Sequence, residues 1–145
     1  MSAGGIDAVL VDKLRERGQR VTSQRLIIHR ALRERDRHLT AEQVLQEVCE
    51  NLPGISLPTV YATLELFEEL GLVRRVATGS GPLLFDSRTS PHAHTVCRVC
   101  GAISDVEFPQ SSVQALGDAA AKDFRPDQAE LVIWGRCGVC VAQES

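Results

Sequence analysis

Two cysteine pairs, Cys97-Arg-Val-Cys100 and Cys137-Gly-Val-Cys140, constrain the fold of this chain more than any other feature. Two residues between thiolates let both sulfurs of a pair reach one tetrahedral ion, and Gly101 allows the tight turn after the first pair. Four thiolates make a closed structural zinc site. The 36 residues between the pairs are enough for one strand–helix–strand unit. A rival reading makes a pair into a thioredoxin-like redox dithiol, in which one CxxC opens a helix after a strand. Here there are two pairs, and the first lies inside an expected β-hairpin. The fifth cysteine, Cys49, falls on the apolar face of a helix and is expected to be buried packing rather than a reactive thiol.

The chain has 145 residues, enough for one domain or two small ones. Hydrophobic residues make up 43% and the net charge is only −3, which argues against disorder. The longest apolar runs, such as Ala8 to Val11, are too short for a membrane-spanning helix or a secretory signal. The cytoplasm is the expected compartment, and cysteines there serve metal or redox roles rather than structural disulfides. The acidic total hides a basic start. Residues 1–40 carry nine Lys/Arg against five acids, while the rest of the chain is acidic. A basic segment on an acidic chain suits contact with a polyanion, or simply a solvated helix face.

Hydrophobic periodicity predicts an α+β chain. Helices are expected over 7–17, ended by Gly18, and from the cap Thr22, with Ile27, Ile28, Ala31 and Leu32 inward. Thr40-Ala-Glu-Gln43 is a capping box that opens a third helix, and Asn51-Leu-Pro-Gly54 stops it. Ser56 caps a fourth, with Pro58 in its first turn and Val60, Leu64 and Phe67 inward, ending at Gly71. Strands 72–77 and 82–86 flank the turn Thr78-Gly-Ser-Gly81. Three helices, a fourth in the recognition position and a hairpin form the winged helix-turn-helix pattern, which binds nucleic acid or protein. The expected organisation is a winged-helix domain over 1–86, a polar hinge over 87–92 and a small α/β domain over 93–145. In the latter, strands at 94–97, 102–108 and 131–134 accompany a helix over 109–124 with Val113, Leu116 and Ala120 inward. So small a unit needs a metal staple, a dimer partner or both.

A second group of metal-ligand residues mixes imidazole and carboxylate. His92 and His94 lie on one face of a strand because side chains repeat every two residues. Asp86 closes the wing, Asp105 lies on the return strand, and His38 precedes the third helix. Such a donor set suits Fe(II) or Mn(II), and also Zn(II) or Ni(II). Taken one at a time, His38 also reads as a surface histidine and Asp86 as a strand-end turn former. His29, in mid-helix, reads as structural.

Residues 18–35, Ile55-Ser-Leu-Pro-Thr-Val-Tyr61 with Leu64, Gly71-Leu-Val73 and His92-Ala-His94-Thr-Val-Cys97-Arg-Val-Cys100-Gly101 resemble the ferric uptake regulator (Fur) family over nearly the whole chain. The resemblance implies a homodimeric, metal-activated DNA-binding repressor and not an enzyme, with a C-terminal dimerisation domain. It implies structural zinc on Cys97, Cys100, Cys137 and Cys140, and regulatory Fe(II) or Mn(II) on His38, Asp86, His92, His94 and Asp105. Aspartate at both 86 and 105 resembles the peroxide-sensing (PerR) branch, where iron sensors more often carry glutamate. In that branch Fe(II) and peroxide oxidise a histidine ligand, and the matching positions are His38 and His92. A further metal site seen in many iron sensors would fall at Pro91, Ala93 and Ala129, which offer no ligating side chain.

Expected DNA contacts on a palindromic operator are Thr59 and Tyr61 toward the bases and Arg20 toward phosphate or the minor groove. Ala62 stands where the family often has a polar or basic contact. Three alternatives remain: a reversible iron-responsive repressor, a thiol redox enzyme using the CxxC pairs, and a zinc-ribbon protein-interaction module. None places the chain in a membrane.

Overall fold

The computed structural model describes residues 3–35, 38–88, 92–126 and 129–144. The chain divides into two compact units, Met1–Thr89 and Ser90–Ser145. Among the described residues no helix is long and apolar enough to cross a membrane.

The first unit contains α1 (Ala3–Glu16), α2 (Ser23–Arg35), α3 (Ala41–Val48), α4 (Leu57–Glu69), β1 (Arg74–Val76) and β2 (Leu84–Asp86). The sequence punctuates these elements chemically. Thr22 Oγ1 accepts the Arg25 N–H at 3.2 Å at the start of α2. At α3 the capping box is complete: Gln43 N–H donates to Thr40 Oγ1 at 3.1 Å, and Thr40 N–H donates to Gln43 Oε1 at 2.9 Å. Ser56 caps α4, and Gly71 leaves the helix with φ +72°, a conformation side chains disfavour. Leu10, Leu14, Ile28, Leu32, Val44, Val48, Val60, Leu64, Phe67 and Phe85 are essentially fully buried in one core. Each such side chain contributes roughly 1.5–3 kcal/mol of transfer free energy. β1 and β2 pair antiparallel, with Arg75 opposite Phe85. Both strands are shorter than expected, and before β1 Leu72 and Val73 join the helical core instead of the ladder.

Cys49 departs from expectation. α3 ends at Val48, so Cys49 is the C-cap residue, exposed, with its thiol donating to the Gln46 carbonyl at 3.2 Å. The helical stripe that would have buried it ends one residue earlier.

The second unit contains β3 (His92–Cys97), β4 (Ile103–Glu107), α5 (Gln110–Ala120), β5 (Leu131–Gly135) and α6 (Gly138–Ala142). Sheet order is β4-β3-β5, with β3 antiparallel to β4 and parallel to β5. α5 supplies the crossover that a parallel β3–β5 pair requires. β3 begins at His92, within the stretch expected to be a hinge, and residues 89–91 of that stretch lie outside the described residues.

Two expected inward residues of α5 are in fact outside. Leu116 is 70% exposed and Ala120 is also exposed, while Val113 and Gly117 are buried. The reason is Gly117: a Cβ there would stand 2.7 Å from the Pro126 ring. The chain returning at Phe124–Pro126 packs on bare backbone at position 117. The inner stripe therefore runs i, i+4 from Val113 to Gly117, which turns Leu116 outward. No periodicity in the sequence announces α6. It grows from the second cysteine pair, with Cys137 in its N-cap position.

Candidate functional site

Strand β3 carries Cys97 at its end, and the β3–β4 turn carries Cys100. Gly101 has φ +75°, as the tight turn requires. Parallel pairing of β3 with β5 sets Cys97 opposite Gly135, two residues before Cys137. The next turn, into α6, adds Cys140. The four sulfurs lie within 4.8 Å of one another, and Cys100 Sγ is 3.7 Å from Cys137 Sγ. A tetrahedral zinc with Zn–S bonds of about 2.3 Å sets sulfurs about 3.8 Å apart, so the cluster fits the ion.

The thiols themselves point the same way. Backbone N–H groups of Cys100 and Cys137 hold the Cys97 thiol down to about 6, and the Cys137 N–H lies 3.4 Å from Cys97 Sγ. The Cys137 thiol and burial push Cys140 up to about 12. Sulfurs this close cannot all ionise unless a cation joins them. The second pair does open a helix after a strand, the local geometry of a redox dithiol. The presence of the first pair within the same cluster favours the zinc reading.

The second unit also gathers His92, His94 and Asp105. His92 and His94 share one face of β3, with ring centroids 4.5 Å apart. Asp105 is the ladder partner of His94 on β4. Its Oδ1 lies 3.5 Å from His94 Nε2 and 3.9 Å from His92 Nε2. Both imidazoles are buried.

In the first unit His38 and Asp86 come together, with Nε2 3.2 Å from Oδ2. A single backbone bridge places them. Leu39 N–H donates to the Phe85 carbonyl at 3.0 Å, and Phe85 N–H donates to the Leu39 carbonyl at 2.7 Å. Asp86 is almost fully buried, and its Oδ1 accepts the Arg88 N–H at 2.8 Å. Ser87 Oγ ties the same segment to the Leu32 carbonyl at 3.2 Å. A buried carboxylate facing an imidazole offers two donors to a divalent metal, because its charge requires compensation. Adjacent donors around an ion with bonds of about 2.1 Å lie about 3 Å apart, close to the His38–Asp86 distance. Pro91 lies outside the described residues, Ala93 is buried in β3 and Ala129 is half-buried.

The expected nucleic-acid contacts lie in the first unit. Thr59 and Tyr61 are half-buried on α4. Thr59 Oγ1 is 2.9 Å from Ser56 Oγ, so its hydroxyl also serves the helix cap. The Tyr61 ring meets Phe85 edge-on, with centroids 6.5 Å apart. Pro58, Ala62, Glu65, Glu68 and Glu69 are the exposed residues of α4. Arg20 is exposed in the loop that follows Gly18. Arg25 arranges that loop, donating to the Arg20 carbonyl at 2.5 Å and to Gln19 Oε1 at 3.3 Å. Sequence reasoning missed Arg25 and Phe85. Arg25 looks like one more basic helix residue, and nothing in the spacing announces that residues 39 and 85 pair.

Comparison with known proteins places the chain among relatives. The sequence model of the Ferric uptake regulator family matches residues 16–134. The peroxide-responsive repressor PerR of Staphylococcus aureus is 33% identical over 131 residues, 90% of this chain and 88% of its own. The structure of the ferric uptake regulator from Pseudomonas aeruginosa with manganese superposes with a TM-score of 0.71 at 28% identity, covering 88% of this chain and 96% of that one. The Helicobacter pylori ferric uptake regulator Fur shares the fold with a TM-score of 0.82 at 18% identity, covering 100% and 97%. With a family match over most of its length and a third of the aligned residues identical in a curated relative, the chain belongs to the ferric uptake regulator family.

Proposed function

We propose that this protein is a cytoplasmic, metal-dependent transcriptional repressor that binds a palindromic operator as a homodimer and senses peroxide. The observation that carries the reading is the division of histidine–carboxylate chemistry between the two units, beside a separate all-cysteine cluster. Zn(II) on Cys97, Cys100, Cys137 and Cys140 would staple residues 93–145, whose own core is thin. His38 and Asp86 from the winged helix over 1–86, with His92, His94 and Asp105 beyond the 87–92 hinge, would hold one regulatory Fe(II) or Mn(II). Two carboxylates neutralise the divalent charge, and three imidazoles favour a transition metal over magnesium or calcium.

Ligands drawn from both sides of a hinge convert metal binding into a choice of orientation. The gain is the difference in metal affinity between orientations, and nothing more. In a homodimer the favoured orientation sets the two α4 helices at the spacing of operator half-sites. Thr59 and Tyr61 face bases there, and Arg20 faces phosphate or the minor groove.

Fe(II) held by these residues would supply the redox catalysis that opens the peroxide O–O bond, with a ligand imidazole as the net two-electron donor. On balance, one peroxide oxygen goes to a ring carbon of His38 or His92 and the other leaves as water. The altered ring is a poor ligand, so the site loses its grip. Support for this branch is Asp105, whose short side chain meets both β3 imidazoles, and the likeness to the Staphylococcus aureus repressor. A reversible iron-responsive repressor is the second reading, favoured by the likeness to the Pseudomonas aeruginosa regulator.

The test is operator affinity with structural zinc retained and the regulatory metal removed. The expected result is at least a tenfold loss, restored by Mn(II). Unchanged affinity contradicts the proposal.

A further inference from the structure

We infer that Phe85 passes the state of the His38–Asp86 half-site to Tyr61 on α4, inside the N-terminal unit, through the Leu39–Phe85 bridge and the Phe85–Tyr61 ring contact. This rests on the proposed regulatory role of His38 and Asp86, and it adds a route that needs no change of orientation between units.

The geometry is compact. His38 and Asp86 are the immediate neighbours of the two bridge residues, so anything that joins their side chains also joins Leu39 to Phe85. The bridge is one residue pair long, with two hydrogen bonds at 3.0 and 2.7 Å. A pairing that short is marginal by itself and gains from a cross-link at its flank. The Phe85 ring is completely buried. One side meets the Tyr61 ring at 6.5 Å, and the Arg75 guanidinium stands 5.8 Å over its centroid. Arg75 in turn is held by Glu68, through its Nε, and lies 3.7 Å from Glu65, both on α4. Phe85 therefore touches the helix directly and through one ion-paired arginine. In a close-packed interior a ring has few discrete arrangements, so fixing the Phe85 backbone restricts where Tyr61 can sit. Phe85 is a positioning residue in this account, acting through Tyr61. Linkage makes the coupling reciprocal: DNA that selects one Tyr61 arrangement tightens metal binding by the same factor.

Tyr61 is the only tyrosine. The full-length protein labelled with 3-fluorotyrosine therefore gives one ¹⁹F resonance. Zn(II) is the probe, being diamagnetic, and is added beyond the equivalent held by the cysteines. The expected result is a shift of the Tyr61 resonance as the second equivalent binds. In Phe85→Leu the shift falls at least threefold while the second equivalent still binds. Phe85→Met, close to phenylalanine in bulk, is the second variant, and thermal melting checks that each is folded. In the wild type, amide exchange at Leu39 and Phe85 is expected to slow at least threefold with the second equivalent, which needs no variant at all. Bound second zinc with an unmoved Tyr61 resonance, an undiminished shift in a folded Phe85 variant, or unchanged exchange overturns the inference and leaves the regulatory reading standing. A second equivalent that fails to bind, or binds equally well in Asp86→Asn, overturns the regulatory reading and the inference with it.

Discussion

His94 and Asp105 face each other as ladder partners across β3 and β4, with Nε2 3.5 Å from Oδ1. An antiparallel register sets the two Cα atoms opposite each other, so the sheet brings both side chains to one place. Replacing Asp105 by asparagine keeps the shape and removes the charge. Regulatory Mn(II) affinity, followed by the electron paramagnetic resonance of the free ion, is expected to fall at least about tenfold, a typical result when a metal site loses a polar partner. Zinc content is expected to stay at one per chain. Unaltered Mn(II) affinity would exclude Asp105 as a ligand.

Removal of one cysteine from the other cluster acts on stability instead. Structural zinc in small domains contributes about 10–16 kcal/mol of apparent binding free energy, much of it coupled to folding. Cys140 is buried, and the large side chains Leu131, Ile133 and Phe124 in its unit are about half exposed, so little apolar core replaces the metal. Cys140→Ser is expected to lose zinc by elemental analysis and to lower the melting temperature by more than 10 °C. A variant with full zinc and wild-type melting would show that three cysteines suffice.

A third expectation concerns acid. Burial, and then the Arg33 charge, lower the His29 pKa to about 4 from an ordinary 6.5, with Asp7 opposing. The ring packs edge-on against Phe67 at 5.6 Å, and its Nδ1 is buried with no hydrogen-bond partner. Below pH 6.5 the unfolded chain takes up a proton at this histidine and the native chain does not. Stability is therefore present above 6.5 and lost as pH falls toward 4. Between pH 7 and pH 5 the loss is about 2 kcal/mol. Urea unfolding is expected to show that slope in the wild type and about 2 kcal/mol less of it in His29→Leu. Equal slopes would mean that His29 takes up its proton alike in the native and unfolded chains, contradicting the lowered pKa.

Local chemistry was legible in the sequence wherever a short segment decides its own conformation. Thr40 and Gln43 form the capping box, Ser56 caps α4, and Gly101 turns the first knuckle, because each needs only residues within a few positions. The cysteine cluster was legible because paired thiolates have few other uses at that spacing. What escaped depends on distant partners. Pro126 rotates the inner stripe of α5 and sends Leu116 to the surface. One residue of helix length decides that Cys49 is exposed. The Leu39–Phe85 bridge joins residues 46 apart, and no periodicity encodes it. Residue type alone makes His38 and Asp86 no more than candidate donors, and only the family resemblance pairs them.

The most direct test of the central claim is mass spectrometry after peroxide. The protein is loaded with Fe(II) without oxygen, treated with stoichiometric peroxide and cut at arginine. His92 and His94 then share a peptide with Cys97, and His38 shares one with Cys49, so fragmentation has to separate histidine from cysteine oxidation. Met1 is the only methionine, which leaves few other sites for added oxygen. The expected result is one added oxygen on His38 or His92, absent when Mn(II) replaces Fe(II). Unmodified histidines in protein with Fe(II) demonstrably bound would contradict peroxide sensing and leave a reversible iron-responsive repressor.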